Sequence, residues 1–136
     1  MSRLRDCIGR YLIELGFVPK CTAYSFMLRT LEICVTSIDV QMLSLQYLMA
    51  IVGDYYRTST PTVLKSICVS VTAVWEKKTP LLSRIFPNTY SSKYSPQPAD
   101  FLSHIVVFLY STYMYEYVMN GGKSPVSNVS SVEHQI

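Results

Sequence analysis

The stretch from Thr58 to Trp75, TSTPTVLKSICVSVTAVW, leaves the chain the least freedom. Ser59 or Thr60 offers a side-chain oxygen to the first unpaired amides of a helix, and Pro61 stands at the first helical position, where its missing N–H costs nothing. Leu64, Ile67, Cys68, Val71, Val74 and Trp75 then recur three and four apart, which predicts a helix over 61–77 with one buried face. β-Branched residues are frequent in it, so local propensity is weak and tertiary packing has to hold it.

The same spacing recurs elsewhere. Leu4, Ile8, Tyr11, Leu12 and Leu15 predict an amphipathic helix over 3–15, stopped by Gly16. After the connector FVPKC, Thr22 caps a second helix running to Ser37, with Tyr24, Met27, Leu28, Leu31, Cys34 and Val35 as its apolar stripe, and Asp39 marks the next boundary. From Met42 to Tyr56 the apolar residues are nearly continuous, with Leu45, Leu48, Met49 and Val52 on one face. The proline-rich 76–100 segment reads as a loop holding a helical turn at Leu81 to Ile85. A last helix starts near Pro98 to Asp100 and reaches about Tyr117, apolar almost all round and so packed in the core or on another subunit. No strand pattern stands out, and the expected fold is an all-α compact bundle of five to six helices. It occupies 1–119 as one domain, with a flexible tail over 120–136.

Composition narrows the function. Among 136 residues 49% are hydrophobic, enough for a core without metals or disulfides. Only 15% are charged and the formal net charge is +3, far from the dense Lys/Arg face of a strong nucleic-acid binder. Cys7, Cys21, Cys34 and Cys68 are widely spaced without a C-x-x-C, which points to reduced core thiols and a cytoplasmic setting. Charges interrupt the N-terminus, so a signal peptide is not expected. Phe101–Met119 is long enough to span a bilayer, but His104, Glu116 and several hydroxyls within it argue for a non-membrane role.

No enzyme site is expected. Ser103 and His104 are adjacent and point about 100° apart on a helix, so with Asp100 they cannot face one another as nucleophile and base. His134 is in the tail, no His, Cys or carboxylate pair has metal spacing, and Gly121-Gly122 lacks the strand and first glycine of a phosphate loop. Metal, cofactor and small-molecule substrate are all expected to be absent.

What remains is the pair of helices from Met42 to Trp75, joined by a polar turn with Gly53 in the last turn of the first. The spacing fits a plain helical hairpin or a helix-turn-helix. The segments IGRYLIELGFVPKCTAYSFMLRTLEI, YYRTSTPTVLKSICVSVTAVW and SPQPADFLSHIVVFL resemble the C-terminal effector domain of the stage-zero sporulation protein A family, the master sporulation response regulators of spore-forming Firmicutes. The resemblance covers roughly 6–118, and its landmarks, among them Ile8, Leu15-Gly16, Tyr24, Tyr56, Thr58-Ser59, Val63, Ile67, Trp75, Pro98 and Phe101, are mostly core positions.

The resemblance implies a helical bundle that binds DNA through a helix-turn-helix and dimerises on it. It also implies that this chain lacks the family's receiver domain and phosphoacceptor aspartate. Matched residue by residue, the family's base-reading arginine falls on Thr62, and its later arginine and histidine fall on Cys68 and Val69. Leu64 replaces an acidic residue, Lys65 keeps a positive charge, and a phosphate-meeting threonine and lysine become Leu45 and Gln46. Two functions are therefore expected. In one, a regulator contacts DNA through Ser59, Thr60, Thr62, Lys65, Ser66 and Val69, with Arg57, Thr58, Lys77 and Lys78 on phosphates. In the other, a protein-interaction module forms a homodimer or antagonises a related sporulation regulator. That alternative draws on Leu64, Cys68 and Val69 and on Tyr110, Tyr113, Tyr115 and Tyr117. For Lys77 and Lys78, favourable placement at a helix C-terminus is an equally good reading.

Overall fold

A computed structural model describes residues 3–36 and 44–119, with side chains as far as residue 112. The expected tail over 120–136, the boundary at Asp39 and the side chains of Tyr113, Tyr115 and Tyr117 lie outside the described residues. Six helices and no strand occur among the described residues: α1 (Arg3–Leu15), α2 (Thr22–Thr36), α3 (Leu45–Tyr56), α4 (Thr60–Lys77), α5 (Pro80–Ile85) and α6 (Pro98–Met119).

α1 has the expected bounds and buries Leu4, Ile8, Leu12 and Leu15. Its end is set by Gly16 at φ 117°: the Gly16 amide donates to the Ile13 carbonyl and the Phe17 amide to that of Leu12. This is the Schellman closure that glycine makes cheaply. α2 occupies the middle of the bundle, packed against α1, α3, α4 and α6. Thr22 is its first helical residue rather than its cap. Thr30, fully buried, spends its hydroxyl on the Phe26 carbonyl one turn back, so no polar group is orphaned there. An ion pair from Arg5 to Glu32 at 2.9 Å ties α1 to α2, and Arg29 lies 4.1 Å over the Tyr55 ring to tie α2 to α3. Both are partly solvated, so each contributes at most about 1 kcal/mol.

α3 begins at Leu45, three residues later than the apolar run suggests. Ser44 sits in extended geometry and its hydroxyl accepts the Tyr47 amide at 3.2 Å, which starts the helix there. Leu48, Met49 and Val52 are buried, while Leu45 is half-buried. At the far side of the bundle Trp75 is the largest fully buried side chain. Its ring meets Phe86 edge-on at 5.2 Å, Phe86 stacks on Phe101 at 5.5 Å, and its Nε1 donates to the Ser92 carbonyl at 2.8 Å.

Of the cysteines only Cys34 is buried; Cys7 and Cys68 are half-buried and Cys21 is exposed. The expectation of a set of core thiols therefore holds for one. Burial pushes the Cys34 thiol up to about 11 from 9.0, so at neutral pH it stays protonated and packs as a small apolar residue. No helix among the described residues is long and apolar enough to cross a membrane.

One close approach sets the relation of α3 to α4. A Cβ on Gly53 would stand 2.7 Å from the Thr58 carbonyl oxygen, a backbone atom that cannot swing aside. Gly53→Ala should therefore lose about 1–3 kcal/mol of stability in urea unfolding, despite alanine's better helix propensity. A variant stabilised by about 1 kcal/mol, the propensity difference alone, would contradict the close approach.

Candidate nucleic-acid interface

The α3–α4 turn is three residues long, Arg57 to Ser59. The Thr58 amide donates to the Gly53 carbonyl at 2.8 Å and the Arg57 amide to the Asp54 carbonyl at 3.2 Å, the same closure that ends α1. Here, however, the left-handed position is held by an arginine, with φ 58° and ψ 46°. That conformation costs an L-residue roughly 1–2 kcal/mol. Arg57 is exposed, and among the described residues its guanidinium makes no ion pair or hydrogen bond. Ser59, not Thr60, caps α4: its Oγ accepts the Thr62 amide at 3.2 Å and lies 2.7 Å from Thr62 Oγ1. Thr60 is then the first helical residue and Pro61 the second, still within the turn whose amides lack helical partners.

From this cap, α4 turns Val63, Ile67, Val71, Val74 and Trp75 into the bundle. Leu64 packs half-buried against the core and Cys68 is half-buried, so neither belongs to an exposed apolar face. The opposite side carries Thr62, Lys65 and Val69, all exposed, with Val69 at 62%. Val69 is seven residues past Thr62, and two turns of helix bring it to within about 20° of the same line, with Lys65 and Ser66 on either side. These four residues and Ser70 form one wall of a groove of about 410 Å³; the other wall is Cys21, Thr22 and Ala23 at the start of α2.

The charge along this face is uneven. Lys65 lies in the second turn, among the described residues without an ion pair, whereas Glu76 is exposed in the last turn. Lys65 and the helix start favour an anionic ligand at the N-terminal half of α4, while at the other end Glu76 is followed by Lys77 and Lys78. Sequence periodicity did not point to the second wall. Lys20, exposed, immediately precedes Cys21, so a cation stands just before the second wall in the sequence. Its residues belong to a connector and a helix start forty positions from α4, and a reading confined to α3 and α4 passes over them.

The remaining expected contacts are distributed differently. Thr58 is half-buried in the turn and Thr60 half-buried at the helix start, whereas Gln46 is exposed and Leu45 half-buried. Lys77 and Lys78 are at the other end of α4, about 26 Å from Thr60 along the axis. The Lys77 ammonium donates to the Gly16 carbonyl. Lys78 adopts φ 48° and its ammonium donates to the carbonyls of Tyr90 and Ser92, both at 2.6 Å, while lying 4.2 Å over the Trp75 ring. The Tyr90 hydroxyl returns a bond to the Lys78 carbonyl at 2.7 Å. Both lysines are thus occupied in closing the helix end on the loop and on α1.

Elsewhere, His104 stacks on Phe86 at 4.7 Å and its Nδ1 is 2.8 Å from the Asp100 carbonyl, its own helix's backbone. No group of metal-ligating side chains occurs among the described residues. No protein family, curated protein or solved structure matches this chain.

The arginine in the left-handed turn position yields a direct expectation. Arg57→Gly removes the backbone strain and should raise stability by about 1 kcal/mol in urea unfolding. A loss of stability would show instead that the guanidinium holds the turn together.

Proposed function

We propose that this chain is a DNA-binding regulator in which α3 and α4 act as a helix-turn-helix and α4 enters the major groove with Thr62, Lys65, Ser66 and Val69. The resemblance to the sporulation-regulator effector domain points the same way, and a cytoplasmic, transcription-regulating role follows from it. The observation that carries the reading is the exposed N-terminal face of α4, with the exposed cations Arg57 and Lys65 on it and Lys20 before the opposite groove wall. Arg57 closes α3 in the left-handed geometry with which Lys78 closes α4, and its exposed guanidinium is placed to meet a phosphate beside the turn.

Arg57, Ser59 and Lys20 would meet the backbone and set the register, while the four α4 residues would meet base edges. None of those four makes the bidentate arginine or amide contact that contributes about 1–3 kcal/mol of discrimination per base. Binding is accordingly of low intrinsic specificity, relative to a reader with two such arginines, by on the order of a hundredfold. A second protomer, or a related sporulation regulator on an adjacent half-site, would double the phosphate contacts.

The protein-interaction reading drew on Leu64, Cys68 and Val69 as a patch. With Leu64 packed half-buried against the core and Cys68 half-buried, Val69 is the one large exposed apolar side chain of α4, with the small Ala73 exposed a turn later, which is ordinary for a solvated surface. That arrangement favours the DNA reading of this face.

The test is a salt titration of affinity for random and sporulation-box duplexes by fluorescence anisotropy. Three neutralised phosphates per protomer, at Lys20, Arg57 and Lys65, give a log–log slope of about −2.7. Arg57→Gly should reduce its magnitude by about 0.9, whereas Lys77→Ala should leave it unchanged because that ammonium is engaged with Gly16. Absence of binding at micromolar protein and low salt would refute the proposal.

A further inference from the structure

We propose that residues 123–136 fold back along α6 and dock in the groove between α5 and α6. Val126, Val129 and Val132 would cover its apolar floor, and Glu133 would meet Arg84. The proposal concerns a different surface from the α4 face and does not depend on the DNA-binding reading.

The groove encloses about 510 Å³. Ile85 and Pro87 line it on the α5 side, and Phe108 and the 64% exposed Val107 line it on α6. Among the lining residues Arg84 alone is charged at neutral pH. Its guanidinium lies 5.8 Å over the Phe108 ring and makes no ion pair among the described residues. His104 beside it has its Nδ1 engaged with the Asp100 carbonyl. An apolar floor with one unneutralised cation at its rim is complementary to an apolar segment that carries a carboxylate.

The chain beyond α6 is such a segment. Val126, Val129, Val132 and Ile136 are spaced three, three and four apart, which on a helix confines them to an arc of about 120°. Glu133, the only acidic residue of 120–136, falls within that arc at its edge. Ser124 and Pro125 supply a cap and a first-turn proline, the signals that also start α4. Gly121-Gly122 gives the backbone freedom to reverse direction. Ser111 and Ser103, the two ends of the α6 wall, are about 12 Å and 24 Å back from Met119 along the helix axis. A helix over 123–136 running antiparallel to α6 covers about 21 Å, and Glu133 then comes level with Phe108, over which Arg84 lies.

Tethering selects this occupant over a second copy. A segment joined through a short linker is held at an effective concentration of about millimolar, roughly a thousandfold above that of a separate chain at micromolar protein. α6 also borders a smaller groove of about 210 Å³ beside Cys34, Leu45 and Leu48, but no charged residue lines that one to orient Glu133.

The experiment is methyl-to-aromatic NOE spectroscopy on the isotopically labelled full chain. The methyls of Val129 or Val132 should give cross-peaks to the Phe108 ring and the Val107 methyls, with relative intensities unchanged on tenfold dilution. Arg84→Glu should weaken them severalfold without altering the circular dichroism, since Arg84 is exposed, and adding Glu133→Arg should restore them. Absence of these cross-peaks in the parent chain would overturn the proposal, as would cross-peaks that survive Arg84→Glu at full strength. Cross-peaks that fade on dilution, and that appear between labelled and unlabelled chains in a mixed sample, would assign the groove to a second copy and overturn it too.

Discussion

The contact between the Gly53 backbone and the Thr58 carbonyl governs the arrangement of everything that follows it. With no side chain at Gly53, the chain leaving α3 can fold back against the helix and restart after three residues at Ser59. The Schellman closure satisfies the Gly53 and Asp54 carbonyls of α3, and the Ser59 hydroxyl accepts the Thr62 amide in the first turn of α4. Two helix ends meet with few unsatisfied groups, which is the condition for so short a connection to be stable. Because the turn fixes the rotational phase of α4, it also decides that Val63, Ile67 and Val71 face inward and that Thr62, Lys65 and Val69 face out.

The far end of α4 is fixed by a different device. Trp75 fills the aromatic core with Phe86 and Phe101, and Lys78 binds the 90–92 loop back over its ring. Lys77 reaches the carbonyl of Gly16, which the glycine turn of α1 leaves accessible. A helix clamped at both ends is a rigid presenter of the side chains between, which is what the proposed reading role, with few strong contacts, would need most. Lys77 and Lys78 spend their donors on backbone carbonyls at this end of the helix, whereas Arg57 and Lys65 at its start, and Lys20 before α2, are exposed.

Much of this was legible from spacing alone. α1 was bounded by its apolar repeat and Gly16, and the cap and proline before α4 were readable because both act locally, within one turn. The late start of α3 at Leu45 was hidden, since a nearly continuous apolar run outweighs a single serine until Ser44 is seen to bond Tyr47. Periodicity groups residues on one side of a helix but does not say how wide its buried stripe is. Leu64 and Cys68 could therefore be counted with Val69 as one patch although they lie at the stripe's edge. The fates of Lys77 and Lys78 depend on carbonyls at 16, 90 and 92, and the second wall of the groove depends on 21–23. Such partners belong to tertiary packing, and no local pattern announces them.

Whether α4 meets DNA through its N-terminal face is most directly tested by backbone amide NMR of the full chain titrated with duplex DNA at low salt. Shift changes should concentrate at Lys20 to Ala23 and from Arg57 to Ser70, with residues 77–92 and 103–111 unmoved. Changes centred on α6 or on the Trp75–Lys78 anchor, or no changes anywhere, would contradict a helix-turn-helix role for α3 and α4.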